Sequence, residues 1–370
     1  DYKDIKGIVK ETGLKQGGLR LNLGGNLTQK LTFNTSISAN LKTNNMMAGG
    51  NTKGGATGSI TRSAIDSAPF EMPPDDPTLA QNDELRTTAL AWLTDYADLA
   101  DEKSIRASAD LTWNFAKGFS YVMRTGGNIL MQDRTKWYDE GIWLGLNNNG
   151  YLGNSNLNSN NYTFENLVNY NGDLGKIGKI SATAGVTYDD YNWLNRNILA
   201  SNFDFKGLGT KGLHMATNQT IASPSQSDYQ LLSYLGRVNL SFLESKYLVT
   251  LTARADGSSK FIPENRWSLF PSAAVAWRIN QEEFLNDATW VKDLKLRVGY
   301  GKTGSQSINP YNTIYNYTQS REYTDANGGL NKAITVSNLS NSDLIWETTS
   351  AYNAGLDFNF FNGLLGGTVE

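Results

Sequence analysis

The residues from Gly299 to Gly304, Gly-Tyr-Gly-Lys-Thr-Gly, come nearest to a chemical motif, because they match G-x-G-x-x-G directly after a strand-like run. A phosphate or dinucleotide site needs such glycines to open a helix whose N-terminus faces the anion. Ser305-Gln306-Ser307-Ile308-Asn309-Pro310 cannot start a long amphipathic helix, and Leu296 stands where a P-loop requires its first glycine, so the run reads as a strand-to-loop junction. His214, the single histidine, lies in a polar loop without a Glu or second His at ligand spacing, which predicts an exposed loop residue and neither a zinc ligand nor a base. The pairs Asp75-Asp76, Asp83-Glu84 and Asp101-Glu102 lack the spacing of a calcium loop and read as solvated surface. No nucleophile has a base partner, and the absence of cysteine excludes disulfides and thiolate metal sites. Catalysis, a metal and a cofactor are therefore not expected.

Two other sets of residues could bind something. Trp92, Tyr96, Trp137, Tyr138, Trp143, Trp193, Tyr311 and Tyr315 fall in what read as long loops, where flat rings could stack on a sugar or dock a partner. The alternative is that long loops need small cores of their own. Arg106, Asp110, Arg124, Arg237, Arg254, Asp256, Arg278 and Arg297 instead occupy the hydrophilic side of alternating segments.

That alternation is the clearest pattern in the chain. Leu31, Phe33, Thr35, Ile37, Ala39 and Leu41 alternate with Asn34, Ser36, Ser38 and Asn40, and Ile105, Ala107, Ala109, Leu111, Trp113 and Phe115 alternate with Arg106, Ser108, Asp110, Thr112 and Asn114. Strands are expected at 17–27, 31–41, 105–115, 119–131, 161–172, 178–189, 229–243, 246–256, 266–279, 292–302, 344–358 and 363–370. Most reach the roughly 9 to 11 residues that a tilted strand needs to cross a bilayer. Their connections alternate between short (27–30, 116–119, 173–178, 243–247, 280–291, 359–363) and mostly long (43–103, 132–160, 190–228, 257–265, 303–343), the asymmetry of an outer-membrane barrel. Aromatics near the expected strand ends, among them Trp113, Phe115, Phe119, Tyr162, Phe164, Tyr188, Tyr247, Trp267 and Trp277, suit girdles at the two membrane surfaces.

Composition agrees with an all-β chain. Its 370 residues include 36 Gly and an 11% aromatic share, and no run of 18 apolar residues exists, which excludes a transmembrane helix and leaves a barrel open. A net charge of −3 without a basic block argues against nucleic acid as a partner. The start carries no basic and apolar leader, so an exported protein is expected to have had sequence before Asp1.

From Leu232 onward the sequence resembles the SusC/RagA family of TonB-dependent transporters. The resemblance rests on S-Y-L-G-R-V-N-L-S-F from Ser233, K-Y-L-V-T-L-T-A-R-A-D-G-S-S-K-F from Lys246, N-R-W-S-L-F-P-S from Asn265, W-R-I-N-Q-E-E-F from Trp277, L-K-L-R-V-G-Y-G-K-T-G from Leu294 and N-S-D-L-I-W-E-T from Asn341. Residues 1 to 230 match in character, and Leu235 and Leu240 stand where many relatives have aromatics. The resemblance implies a transmembrane antiparallel up-and-down β-barrel in the bacterial outer membrane, of which 1–370 would be about 12 strands of a larger plugged wall of about 22. The resemblance implies a plug before this stretch, and because an open wall is not tolerated in lipid, further strands after it are expected. It further implies import of an oligosaccharide or peptide, energised through a TonB-type coupler that contacts the plug and capped by a SusD-like surface lipoprotein. The loop aromatics would touch ligand or lid and the hydrophilic-side charges the plug. A passive porin and a secreted all-β adhesin are the alternatives, the first lacking a plug and the second staying in water.

Overall fold

The computed structural model describes residues 1–47, 60–66, 87–222 and 224–370, without the side chains of 61, 62, 66 and 320–322. Asp75-Asp76 and Asp83-Glu84 lie outside the described residues. Among the described residues fourteen strands form one antiparallel sheet, and two more form a separate hairpin. The main path runs β1 (Tyr2–Lys6), β2 (Gly13–Thr28), β3 (Leu31–Asn45), β4 (Tyr96–Ala116), β5 (Phe119–Tyr138), β6 (Tyr151–Asp173), β7 (Gly178–Phe203), β9 (Ser225–Phe242), β10 (Tyr247–Ser258), β11 (Trp267–Arg278), β12 (Val291–Ser305), β15 (Glu347–Phe360) and β16 (Leu365–Val369). β8 (Ala216–Ile221) pairs with β7 off this path, and β13 (Asn316–Thr324) pairs with β14 (Leu330–Asn338). Nearly every neighbour in the wall is a neighbour in sequence, which is an up-and-down order. Among the described residues no helix is long and apolar enough to cross a membrane.

All twelve expected strands are present, and four short ones, β1, β8, β13 and β14, were not expected. The larger correction concerns length. β4, β5, β6 and β7 run for 21, 20, 23 and 26 residues, so parts of the supposed loops 43–103, 132–160 and 190–228 are strand. Tyr96, Trp137, Tyr138 and Trp193 accordingly sit in strands and not in loops. The physical reason is visible in β6, where Asn154, Asn156 and Asn158 replace the apolar half of the pattern. Ladder hydrogen bonds keep the strand, while side-chain bonds such as Asn156 Nδ2 to Asp133 Oδ1 at 2.5 Å and Asn154 Nδ2 to Thr135 Oγ1 at 3.0 Å knit its neighbours. A strand wet on both faces shows no hydropathy alternation.

Registers put all apolar stripes on one face. Phe33 opposes Leu111, Leu111 opposes Met123, Leu251 opposes Ala273 and Val275 opposes Val298. Large side chains on it stay exposed, including Ile105, Ile129, Leu251, Val275 and Val298, and the described residues place no second sheet over them. Toward the short turns this face ends in a chain of rings, with Trp113–Phe115, Phe115–Phe119 and Phe119–Tyr170 centroids 5.5, 5.7 and 4.4 Å apart. Toward the long loops it ends in a second row, where Tyr162 and Tyr188 lie 6.1 Å apart and Tyr234 stacks on Trp267 at 5.7 Å. The hydroxyls of Tyr162 and Tyr188 both donate to Asp190 Oδ2, at 3.2 and 2.9 Å, which marks where water begins. Tyr162, Tyr188 and Tyr234 lie mid-strand, not at strand ends, because their long strands continue past them, whereas Trp267 opens β11 as expected. Trp267 and Trp277 bound β11, and ten residue steps at about 3.3 Å, tilted about 40°, span roughly 25 Å, the height of a barrel's apolar band.

Connections at the Trp277 end are tight. In the β4–β5 turn Gly118 has φ +78°, and a Cβ there would lie 2.3 Å from the Asn171 carbonyl oxygen, so glycine is required. The β9–β10 turn is different, because Leu243, Glu244 and Ser245 all adopt positive φ without a glycine among them. The glycines of the 299–304 run lie inside β12, paired to β11 and β15, so the expected strand-to-loop junction comes at Ser305 instead.

Candidate functional site

Above the upper aromatic row, the even-numbered residues of β4 and β5 continue on the polar face that carries Arg106, Asp110 and Arg124 lower down. Register sets Tyr96 opposite Tyr138, Asp98 opposite Lys136 and Ala100 opposite Arg134. Asp98 nevertheless turns diagonally. Its carboxylate accepts from Arg134 Nε at 2.7 Å and Nη2 at 2.6 Å, a two-pronged bond, and from the Tyr96 hydroxyl at 3.0 Å. With Asp98 only 1% exposed and its oxygens engaged, its charge is spent on Arg134. Lys136 keeps a cation directly across the ladder from it. Burial first, and the Arg134 guanidinium second, push the Lys136 ammonium below the ordinary lysine range, against a smaller pull from Asp98. Burial likewise raises Tyr96 and Tyr138, which therefore stay neutral phenols.

A short helix, α2 (Ala91–Thr94), roofs this pair of strands, and a second, seven-residue helix, α1 (Ile60–Asp66), packs against it through Ile60. The Thr88 hydroxyl accepts the Ala91 N–H at 3.1 Å and starts α2, and the Trp92 indole donates to Ser63 Oγ at 3.0 Å. Trp92 meets Tyr96 edge-on at 5.3 Å, Tyr96 meets Tyr138 at 5.1 Å, and Ile142 closes the cluster. Beneath that roof a cavity of about 510 Å³ opens on the polar face, lined by Ile5, Leu14, Met46, Trp92, Tyr96, Asp98, Arg134, Lys136 and Tyr138 among others.

The structure thus brings together three of the eight aromatics singled out from sequence and separates the rest. Trp92 and Tyr138, 6% and 4% exposed, are core to the roof, so their faces are already covered. Trp137 points to the opposite face, packing edge-on against Phe203 at 4.9 Å with Leu152 and Ala200, a second small core under the β7–β9 connection. Trp143 begins α3 (Trp143–Asn147), where its backbone N–H donates to Thr87 Oγ1 at 2.9 Å. Trp193 lies on the polar face of β7, opposite Ser159 and Ser227. The Tyr311 hydroxyl donates to Asp228 Oδ2 at 2.9 Å, and Tyr315 is exposed. His214 is exposed in a 3-10 turn.

All eight charged residues named from sequence share the polar face. Arg124 bridges Asp110 at 3.5 Å and Glu165 at 3.6 Å; Arg254 holds Asp256 at 2.6 Å and Ser233 Oγ at 2.9 Å. Arg297 grips Asp357 with two bonds, 2.9 and 3.0 Å, and reaches Glu370 at 3.2 Å, while Arg237 donates to Asn239 at 3.3 Å. Arg106 and Arg278 take part in no ion pair among the described residues. Asp98, Arg134 and Lys136 escaped the sequence reading because their segments were taken as loops; carrying the even-residue parity upward from Arg106 and Arg124 would have found them. The quoted blocks converge in space too. Phe261, Phe270 and Trp346 form a third buried cluster, with the Trp346 indole donating to the Arg266 carbonyl at 2.9 Å and Asn265 donating to Leu344 at 3.3 Å. That cluster ties the long 306–346 connection to the rim of β10 and β11.

A family model described as TonB dependent receptor-like, beta-barrel matches residues 20–370. TonB-dependent receptor P26 of Formosa agariphila is 27% identical over 98% of this chain and 36% of its own length. TonB-dependent receptor SusC of Bacteroides thetaiotaomicron is 43% identical over 38% of this chain and 14% of its own. The solved structure of the RagAB peptide transporter aligns with a TM-score of 0.76 at 19% identity, covering 96% of this chain and 39% of that one. The chain therefore spans little more than a third of the length of P26 and of the RagAB chain.

Proposed function

This chain belongs to the TonB-dependent receptor β-barrel family of the bacterial outer membrane, and from that premise we propose that the protein it is part of actively imports a bulky nutrient, an oligosaccharide or a peptide, through a plugged barrel. Residues 1–370 supply a stretch of the transmembrane wall, with a plug and further strands contributed by the rest of the protein. A TonB-type coupler delivers inner-membrane energy to the plug, and a SusD-like lipoprotein closes over the loop side. The likeness to SusC and to RagAB, itself a peptide transporter, supports this reading.

The observation that carries the proposal is the two-sidedness of the wall. One face presents exposed apolar side chains over about 25 Å between two aromatic rows, and the other carries charged pairs such as Arg124–Asp110 that remain in water. A face of that kind suits a wet interior through which a polar solute passes and on which a plug can rest.

The test is uptake of a panel of fluorescent oligosaccharides and peptides by cells carrying the complete protein, with and without a protonophore. Uptake of at least one panel member that is lost when the proton-motive force collapses is the expected result. Uptake that persists after collapse would assign a passive porin.

A further inference from the structure

We propose that the cavity under α2 is a subsite for a ligand carboxylate, with Lys136 as its cationic anchor; this deepens the import reading and rests on it for the ligand's class. Charge and shape both point there. Among the described residues the cavity holds three charged groups, Asp98, Arg134 and Lys136, and the first two cancel in a two-pronged bond that leaves Asp98 sealed off. One positive charge remains, on the side chain that the ladder sets opposite Asp98 but that Asp98 has abandoned. No carboxylate among the described residues lies within ion-pair distance of it. The same cavity is lined by apolar Ile5, Leu14 and Met46, by uncharged Thr12 and Asn45 and by the neutral phenols of Tyr96 and Tyr138, so the half-buried Lys136 has given up part of its water for walls that carry no balancing charge among the described residues. A half-buried cation in that setting is costly when alone and favourable when an anion enters.

The size agrees. About 510 Å³ admits one or two sugar rings or a short stretch of peptide and falls within the range of small-molecule sites. For both nutrient classes the ordinary anion is a carboxylate, on a uronic acid or at a peptide C-terminus. The subsite lies nine residue steps beyond Gly127, the β5 partner of upper-row Tyr162, and so on the extracellular side of the band, where an incoming ligand arrives first. Arg134 cannot replace Lys136 as the anchor, because its guanidinium is committed to Asp98.

The experiment reads Lys136 directly in the intact, purified protein. Acylation of Lys136 by an amine-reactive reagent is followed by mass spectrometry, alone and with trigalacturonate, galactotriose, N-acetyl-trialanine or N-acetyl-trialanine amide. A bound carboxylate shields the amine and favours its charged, unreactive form. Saturating acid probe is expected to slow Lys136 acylation about tenfold, whereas the neutral counterparts leave it unchanged. Which acid protects separates the uronate source from the peptide source. In the free protein the pH-rate profile should have its midpoint below the ordinary lysine value of 10.5, and the protecting acid should move that midpoint upward. Protection by neither acid at tens of millimolar, or equal protection by acid and neutral probes, would overturn the subsite. The readout involves no transport, so it can fail while energised uptake stands, and uptake can fail while it stands.

Discussion

Leu111 and Asp110 are adjacent in β4 and face different solvents. Leu111 lies between Phe33 and Met123 on the apolar face, and Asp110 meets Arg124 across the polar one. A charge forced onto the lipid side near mid-bilayer destabilises a barrel by about 2 to 4 kcal/mol, whereas half-exposed ion pairs contribute about 1 kcal/mol or less. Leu111→Arg in the complete protein, unfolded by denaturant from lipid vesicles, is expected to lose stability in the first range and Asp110→Arg to change by about 1 kcal/mol or less. Equal effects of the two would contradict the facing of β4. At this scale the sequence was readable wherever lipid enforces parity: every charge named from alternation lies on the polar face. It was missed at Asp98, Arg134 and Lys136, which stand above the band, because Asp101 and Asp133, paired across the ladder, interrupt the apolar stripe there although Ala97, Leu99 and Trp137 keep its parity.

Among the elements, the strands at membrane height announced themselves and their extensions did not. Residues 105–115 carry a full apolar stripe, whereas 151–161 hold Asn and Ser on both sides and stay extended through ladder and side-chain hydrogen bonds. The short β1, β8, β13 and β14, of 5 to 9 residues, are too brief to stand out by alternation, although Ile334 and Val336 in β14 do alternate with Thr335 and Ser337. Among the turns, 243–245 stands out because three successive side-chain-bearing residues hold left-handed backbone at φ 47°, 57° and 70°. Each such residue carries strain of about 1 kcal/mol or more, while glycine brings about 0.5 to 1 kcal/mol of extra chain entropy to the unfolded state. Glu244→Gly, whose carboxylate enters no ion pair among the described residues, is therefore expected to stabilise the complete barrel by about 0.5 to 1 kcal/mol in the same unfolding assay. A lowered midpoint would show that the turn is relaxed.

At the scale of the molecule, one sheet divides two environments. Its order follows the chain almost without exception, so each strand's pairing is set by a hairpin and each hairpin by a short turn or a long loop. Such a wall buries little against itself. Its stability comes from ladder bonds and from the match of an apolar band to hydrocarbon, because an unpaired backbone group in lipid costs several kcal/mol. The long strands β4 to β7 raise the wall above the membrane on the loop side and carry the Lys136 cavity there, together with the roof of Trp92, Tyr138 and Ile142. The two-sided wall, the energised import proposed for it and the proposed extracellular subsite all depend on which face touches lipid.

Spin labels placed singly at Leu111, Val275 and Val298 on one face and at Asp110 and Ser272 on the other, in the complete protein reconstituted in bilayers, measure that facing most directly. Collisions with dissolved oxygen should dominate at the first three positions and collisions with a water-soluble nickel chelate at the last two. Strong nickel contact at Leu111, Val275 and Val298, or shielding of those three from both reagents, would contradict a lipid-facing apolar side.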